Sequence, residues 1–203
     1  MILAGNETTR GGLYGVGQES EQICARYLSG IGYTVIPISE YTNNTGKKIN
    51  APMLLSPEGL RVSPDLLVMA ARKSFWVEVK RKGEPTYYWK RSRWEHGVDT
   101  PNFEDYMEIQ RTSGYPVYIF VHEIKSPATP DLYLNNREDI GARRKMIADL
   151  QDKEVWLSIA IDNASKLGES RPNNREMIRP QNPMGYGTYW PRSAMKIIEI
   201  QQG

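Results

Sequence analysis

Two acidic residues and a lysine stand at a spacing that would let them build one hydrolytic site. Asp65 opens an apolar run, and Glu78 and Lys80 lie thirteen and fifteen residues further along, inside a second apolar run. Because side chains alternate across a strand, Glu78 and Lys80 project from one face, roughly 6–7 Å apart along it. If the two runs pair as a hairpin, the Asp65 carboxylate reaches the same polar site.

The chemistry that these residue types favour is metal-assisted hydrolysis. Two carboxylates that converge on one point repel each other unless a cation lies between them. Oxygen ligands favour a hard divalent ion, Mg²⁺ or Mn²⁺. A neighbouring lysine can orient or deprotonate a water molecule, or stabilise charge on a phosphate. Beside a surface that binds nucleic acid, this combination predicts hydrolysis of phosphodiester bonds.

A basic and aromatic segment surrounds the second run. From Arg72 to Arg93, eight Lys and Arg residues stand against two acidic ones, although the whole chain carries a net charge of only +2. Interleaved tyrosines and tryptophans make the pattern typical of a nucleic-acid groove, in which cations bind phosphates and rings stack on bases. The alternative for the basic segment is a solvated charged face. The alternative for residues 188–193, near the C-terminal end, is an aromatic turn that caps the sheet. The residues predicted to contact nucleic acid are Lys82, Lys90, Arg91, Arg93 and Arg192, with Trp190 near Arg192.

The stretches SPDLLV and FWVEVK resemble the signature of the PD-(D/E)xK nuclease superfamily. The helical stretch GQESEQICARYLSGIGYTV is similar to the helix that precedes the first core strand in archaeal-type Holliday junction resolvases and lambda-type exonucleases. The run FEDYMEIQRTSGYPVYIFVHE looks like small phage or mobile-element nucleases. This resemblance covers about residues 15–123. It implies a restriction-endonuclease-like α/β fold, with a mixed central sheet and flanking helices in an αβββαβ core, and the activity of a metal-dependent deoxyribonuclease.

The resemblance also implies the roles of the central residues. Asp65 and Glu78 would bind Mg²⁺ or Mn²⁺ together with the backbone carbonyl of Val79. Lys80 would position a water molecule or stabilise charge on the phosphate. The implied substrate is DNA, although the sequence does not distinguish DNA from RNA, or an endonuclease from an exonuclease.

Two flanking helices are implied to complete the site. Glu21 would join the metal ligands from the first helix, with Glu19 as the alternative on the same helix. At about 100° per residue, Glu21 falls nearer to the apolar face than Glu19 does. From the helix after the motif, Gln110 or Tyr106 would face the site, and a plain position on the helix surface is the alternative for both.

Other interpretations of the same residues stay open. Glu78 and Lys80 would form an exposed cross-strand pair if Asp65 merely follows a turn proline. That interpretation leaves Trp76 exposed on the same face, unless something covers that face. A second alternative is a nuclease-fold protein that binds nucleic acid, or acts as an inhibitor, without catalysis. The intact set of Asp, Glu and Lys argues against this alternative.

The rest of the sequence predicts how these residues are positioned. Helices are predicted over residues 18–31, 103–112 and 137–150, and strands over 33–38, 65–69, 74–79, 117–121, 155–161 and 195–200. Residues 170–187, rich in Asn, Pro, Gly and Arg, predict a long loop. This order predicts a mixed sheet with helices packed against it. We expect a flexible arm over residues 1–14, the nuclease core over 15–123, and a C-terminal extension over 124–203 packed on the same domain.

The scarce residue types argue against several other classes of protein. The chain has one cysteine, Cys24, and two histidines, His96 and His122, which excludes an intramolecular disulfide and ordinary Cys/His zinc sites. We predict structural roles for all three. Because no apolar run is long enough to span a membrane and no signal-peptide pattern is found, we expect a cytoplasmic protein without a membrane partner. A homodimer would suit an enzyme that must cut two strands.

Overall fold

The structure is a computed structural model that describes residues 11–38, 53–127, 150–151, 154–172 and 185–200 of the 203-residue chain. The helices of these residues are α1 (Gly11–Gly30), α2 (Thr100–Ser113) and α3 (Ile161–Leu167). Their strands are β1 (Thr34–Pro37), β2 (Met53–Ser56), β3 (Gly59–Val62), β4 (Leu66–Ala70), β5 (Lys73–Lys82), β6 (Thr86–Tyr88), β7 (Arg93–Asp99), β8 (Val117–Glu123), β9 (Ser126–Pro127), β10 (Leu150–Gln151), β11 (Val155–Ala160), β12 (Glu169–Pro172), β13 (Tyr186–Pro191) and β14 (Lys196–Ile198).

A mixed sheet of six strands forms the centre of the fold, in the order β1-β4-β5-β8-β11-β14. Within it, β5 and β8 run parallel and the other neighbours run antiparallel. The chain order α1, β1, β4, β5, α2, β8 gives the predicted αβββαβ core, with the β2–β3 hairpin inserted before β4 and with β6 and β7 inserted before α2. The predicted α/β class, a mixed central sheet with flanking helices, is confirmed.

Helix α1 packs on one face of this sheet. Its buried residues Cys24 and Leu28 contact a cluster that includes Leu66, Val77 and Val79. Residues 24 and 28 are one helical turn apart and therefore lie on the same side of the helix. The odd-numbered residues of β5 point towards α1, as the strand period requires.

Helix α2 covers the opposite face, to which the even-numbered residues of β5 project. Its buried residues Phe103, Tyr106 and Ile109 pack in one cluster with Trp76. The indole N–H of Trp76 donates to the Ser113 hydroxyl at 3.3 Å. The face that carries Glu78 and Lys80 is thus a covered face, and the interpretation as an exposed cross-strand pair does not hold.

The ends of α2 follow from its local sequence. A proline stands in the first turn, where the missing N–H costs no intrahelical bond. Gly114 ends the helix in the left-handed conformation, at a φ of 71°, and its N–H donates to the carbonyl of Gln110 at 3.0 Å. A glycine at this position is the usual way to end a helix.

A second sheet, in the order β12-β13-β7-β6, lies on the α2 side of the molecule. Trp190 and Val98 from this sheet are buried in the same cluster as Phe103. Gly97 pairs with Tyr189 across β7 and β13, and an added Cβ at Gly97 would lie 2.5 Å from the Tyr189 ring and 2.6 Å from a backbone carbonyl. Only a glycine lets these two strands approach so closely.

Several predicted elements differ from those found. Helix α1 begins at Gly11, whereas it was predicted to begin at residue 18. The prediction omitted the first turns because their glycines give no apolar period. The predicted helix over 137–150 falls on residues outside the described ones, except that Leu150 belongs to β10. The predicted loop over 170–187 is wrong at both ends, where β12 and β13 lie, and residues 173–184 are outside the described residues. In the described part of the chain, no helix combines the length and the apolar character that a membrane crossing needs.

Candidate active site

The hairpin of β4 and β5 brings the two predicted carboxylates together. Leu66 stands opposite Val77, so the same register, continued by one residue, places Asp65 opposite Glu78. The carboxylate of Asp65 accepts a hydrogen bond from the N–H of Val79 at 2.7 Å. This bond fixes Asp65 at the point where β4 begins, on the same face as Glu78.

Glu78 is almost fully buried, with 1% of its surface exposed. One of its carboxylate oxygens forms an ion pair with the ammonium group of Lys80. The other oxygen, Oε2, is buried and has no hydrogen-bond partner. Because an unsatisfied buried carboxylate oxygen is costly, this atom is suited to receive a water molecule or a cation.

Asp65 is held in surroundings that disfavour its charge. Burial raises its pKa well above the usual range, and the charges of Glu78 and Glu21 raise it further. The charge of Lys80 and the hydrogen bond from Val79 lower this pKa only in part. The positive charge of Lys80 therefore offsets the neighbouring carboxylates only in part, and a divalent cation would supply more positive charge around Asp65.

Lys80 carries the positive charge of the site. Burial lowers its pKa, but the charges of Glu78, Asp65 and Asp99 outweigh burial and raise it above the usual value. Its side chain is 31% exposed, so the ammonium group reaches the surface of the site. In this arrangement the Lys80 ammonium group is a cation that faces the carboxylates of Glu78 and Asp65.

On α1, the structure brings Glu21 and not Glu19 towards the carboxylates. Glu21 is partly buried, and its charge contributes to the raised pKa of Asp65. Glu19 is exposed and forms an ion pair with Arg81 at 2.8 Å. Cys24 also lies near Asp65, and burial, followed by the charge of Asp65, raises the pKa of its thiol to about 12. Cys24 is therefore a core residue, as predicted.

On α2, the residue that reaches the carboxylates is Tyr106 and not Gln110. Burial raises the pKa of the Tyr106 phenol, as do the charge of Glu78 and a hydrogen bond to it. The prediction of Gln110 as a site residue is not supported by its position, because both ends of its amide are engaged elsewhere. Its oxygen accepts the N–H of Val117 at 2.9 Å and its nitrogen donates to Asp162 at 2.7 Å.

The predicted ligands do not form a complete metal cage. Within the ranges that the structure describes, no three His, Cys, Asp or Glu side chains stand close enough together to hold a metal ion. Two carboxylates, Asp65 and Glu78, nevertheless suit Mg²⁺, which usually keeps several waters and binds through one or two carboxylates. The donor set therefore fits a partly hydrated divalent ion.

Two of the arginines predicted to bind nucleic acid are held by buried glutamates. Arg93 donates to Glu95 at 2.7 Å, and the guanidinium of Arg171 contacts the other oxygen of Glu95. Arg192 donates to both oxygens of Glu123, at 2.9 and 2.6 Å. Both glutamates are fully buried. The charges of Arg93 and Arg192 thus balance these carboxylates and are not directed at an external phosphate.

The other predicted contacts to nucleic acid have different surroundings. Arg91 forms an ion pair with Glu169 at 3.1 Å, and Lys90 is exposed. Lys82 is partly buried and lines a cavity next to Lys80. Trp190 is fully buried, so its ring is not available to stack on a base.

Both histidines have structural surroundings, as predicted. His96 donates to the buried Glu123 at 2.9 Å and so links the second sheet to β8 of the central sheet. His122 forms a hydrogen bond with Ser20 of α1 at 2.8 Å and stacks on Trp156, with ring centroids 4.3 Å apart. Neither histidine lies among the carboxylates of the hairpin.

Asp99 is a residue of the site that the sequence analysis missed. It immediately precedes α2, its side chain makes no capping hydrogen bond, and its charge raises the pKa of Lys80. The only local signal was its position before Thr-Pro, where an acidic residue normally serves as a helix cap.

Comparisons with known proteins give distant structural similarities. No protein-family model matches the chain, and no curated protein matches it either. Its structure is similar to that of Hjc, a Holliday junction resolvase from the archaeal hyperthermophile Archaeoglobus fulgidus, at 12% identity and a TM-score of 0.41, over 84% of this chain and 86% of the resolvase. It is also similar to D212, a nuclease from a fusselovirus, at 12% identity and a TM-score of 0.33, over 97% of this chain and 90% of that nuclease. The functional argument therefore rests on the geometry of the site.

Proposed function

We propose that this protein is a divalent-metal-dependent nuclease that hydrolyses phosphodiester bonds of DNA, a function that would suit a phage or a mobile element. The observation that carries the proposal is the β4–β5 hairpin, in which Asp65 faces Glu78 and Lys80 pairs with one oxygen of Glu78. Two carboxylates that share one face favour a divalent cation between them, and the unpartnered Oε2 of Glu78 leaves an acceptor for it.

Each residue of the site would have a separate task. Asp65, Glu78 and the carbonyl of Val79 would hold Mg²⁺ or Mn²⁺, and Glu21 would contribute from α1. When bound, the ion supplies Lewis acidity and lowers the pKa of a water molecule. Lys80, as a cation, would stabilise the charge that develops on the phosphate.

Two supporting residues and burial beneath α2 keep this geometry in place. The N–H of Val79 holds the Asp65 carboxylate, and the buried Tyr106 lies close enough to Glu78 for that carboxylate to raise the pKa of its phenol. Burial beneath α2 keeps bulk water away from Glu78 and strengthens its electrostatic interactions. The site is thus organised before any substrate binds.

The proposal is tested by cleavage of labelled DNA substrates in Mg²⁺, in Mn²⁺ and in EDTA. The panel contains a single strand, a duplex, a flap and a four-way junction. We expect metal-dependent cleavage by the wild type and a loss of roughly 10²–10³-fold in rate for Lys80→Ala, since one preorganised charge is removed. Lys166→Ala, an exposed lysine on α3, is the matched control and should cleave normally.

The same assay separates the proposal from its alternative, a protein that binds nucleic acid without cleaving it. Tight binding that does not depend on metal, with no cleavage of any substrate, would contradict the proposal. Equal rates for Lys80→Ala and wild type would remove Lys80 from the catalytic site.

A further inference from the structure

A cavity continues from the catalytic residues along the same face of β5. It has a volume of about 370 Å³, and Lys80 and Lys82 line it from the central sheet. Thr86 lines it from the second sheet and Asn102 from the start of α2. The volume falls in the range of small-ligand sites, roughly 300–1,000 Å³. The cavity thus begins at a catalytic side chain and has room for one small organic group.

We propose that this cavity binds one unpaired nucleotide of the DNA strand, next to the bond that is cut. This inference rests on the proposed function, because it places the nucleotide beside Lys80. Lys80 belongs both to the wall of the cavity and to the ion pair with Glu78. A group in the cavity therefore lies within one side-chain length of the carboxylates.

The lining of the cavity offers a partner for each part of a nucleotide. Lys82 stands two residues after Lys80 on the same face, where its charge can meet a second phosphate. The ring of Tyr189 lines the cavity with the Arg171 guanidinium 4.2 Å from its centroid, and a base can pack against the part of the ring that faces the cavity. Thr86 and Asn102 provide hydrogen-bonding groups for the base or the sugar.

Three carboxylates line the cavity beside the two lysines, and arginines balance one of them. Glu95 lines the cavity, but it is paired with both Arg93 and Arg171. Asp99 also lines it, and it lies near enough to Lys80 to raise the pKa of that lysine. The exposed Glu84 is the third carboxylate, so the charges that an incoming phosphate meets are those of Lys80 and Lys82, offset by Asp99 and Glu84.

The size of the cavity selects the form of the DNA. A space of about 370 Å³ has room for one nucleotide and not for a base pair within a stacked duplex. A base must leave the helix to enter, and this step is easiest where the base is already unpaired. We therefore infer that single strands and flaps are cut faster than a fully paired duplex.

The test fills the mouth of the cavity. Thr86 is exposed on β6, so Thr86→Trp can fill this space without altering the core. Thr34→Trp places the same ring on an exposed position of β1, outside the cavity, and serves as the matched control. Circular dichroism and thermal melting of both variants show whether each has folded. If Thr86→Trp does not fold, Asn102→Ala replaces it, with Glu104→Ala as its control.

Binding of fluorescently labelled single strands is measured in EDTA by anisotropy, with one abasic site moved along the strand. For the wild type, we expect one position at which loss of the base weakens binding about tenfold, as stacking of one base predicts. Thr86→Trp should weaken binding of the intact strand by a similar factor and should remove the effect of position. Binding by Thr34→Trp should match the wild type.

The outcomes separate this inference from the proposed function. Two results would overturn the nucleotide cavity. One is binding that is the same at every position of the abasic site. The other is equal binding by Thr86→Trp and Thr34→Trp. Cleavage in Mg²⁺ is measured on the same strands. Position-dependent binding without cleavage would refute the nuclease and leave the cavity in place, whereas cleavage without position-dependent binding would refute only the cavity.

Discussion

Replacing Asp65 with asparagine is expected to stabilise the metal-free protein while it abolishes cleavage. Asp65 faces Glu78, and its pKa is raised by burial and by the charges of Glu78 and Glu21. The folded protein therefore disfavours a charge at this position. Asparagine has nearly the same shape and keeps an oxygen that can accept the N–H of Val79.

The size of the effect follows from the hairpin geometry. The Cα atoms of residues directly opposite each other in an antiparallel pair are about 5 Å apart. Two like charges with that separation repel by about 3 kcal/mol at an effective dielectric constant of about 20. Lys80 offsets part of this repulsion, so about 1–2 kcal/mol should remain. For a chain of this size, that corresponds to a rise in Tm of roughly 2–8 °C.

The assay is thermal unfolding followed by circular dichroism at pH 8 in EDTA, with Glu104→Gln as an isosteric control on an exposed side chain. Because the pKa of Asp65 is higher in the folded than in the unfolded state, the folded wild type binds the proton more readily. As the pH falls through the folded-state pKa of Asp65, the wild type gains stability and Asp65→Asn does not. The difference in Tm between the two proteins therefore shrinks. Added Mg²⁺ should raise the Tm of the wild type more than that of Asp65→Asn. A lower Tm for Asp65→Asn in EDTA, or equal stabilisation of both by Mg²⁺, would refute the reasoning.

Three further predictions concern the parts of the molecule that support the site. Arg192→Ala should lower the free energy of unfolding in urea by about 3–5 kcal/mol, since it leaves the buried Glu123 without its paired cation. Arg91→Ala, the control, should change it by less than about 1 kcal/mol. Similar losses for the two variants would show that Glu123 does not need its arginine. Gly97→Ala should cost about 1–3 kcal/mol in the same assay because the new methyl group overlaps the ring packed on it, and an unchanged midpoint would contradict that contact. Cys24 should react with a thiol reagent at pH 8 only after unfolding, because burial raises its pKa to about 12, and fast labelling of the native protein would contradict its buried position.

The alternation of β5 could be predicted from the sequence because it is a local property. Glu78 and Lys80 occupy one face and Val77 and Val79 the other, as the period of two requires. A hairpin was one possible pairing for two runs so close together in the sequence, and the observed hairpin of β4 and β5 places Asp65 opposite Glu78. The centre of the site was therefore predictable from some twenty consecutive residues.

The partners of the basic residues could not be predicted in this way. Arg192 lies 69 residues from Glu123 in the sequence, and nothing local indicates that the two form an ion pair. A count of charges cannot distinguish an arginine that balances a buried carboxylate from one that faces a phosphate. Gln110 shows the same limit, since its partner Asp162 is 52 residues away.

The second sheet was missed for a related reason. The strands β7 and β13 pair across about ninety residues, and their sequences are rich in glycine, proline and aromatic residues, which do not alternate cleanly. Their stability depends on tertiary contacts such as the packing of Trp190 against Phe103, with ring centroids 6.1 Å apart. The cavity beside Lys80 exists only because this sheet lies over β5.

The most direct test of the metal-dependent nuclease is cleavage of a labelled flap or single strand by wild type, Glu78→Gln and the control Glu104→Gln, in Mg²⁺ and in EDTA. Glutamine keeps the shape of residue 78 but removes the charge that faces Asp65. We predict cleavage by the wild type and by Glu104→Gln in Mg²⁺ alone, and none by Glu78→Gln. Cleavage that persists in Glu78→Gln, or that persists in EDTA, would contradict a metal-dependent site at this pair of carboxylates.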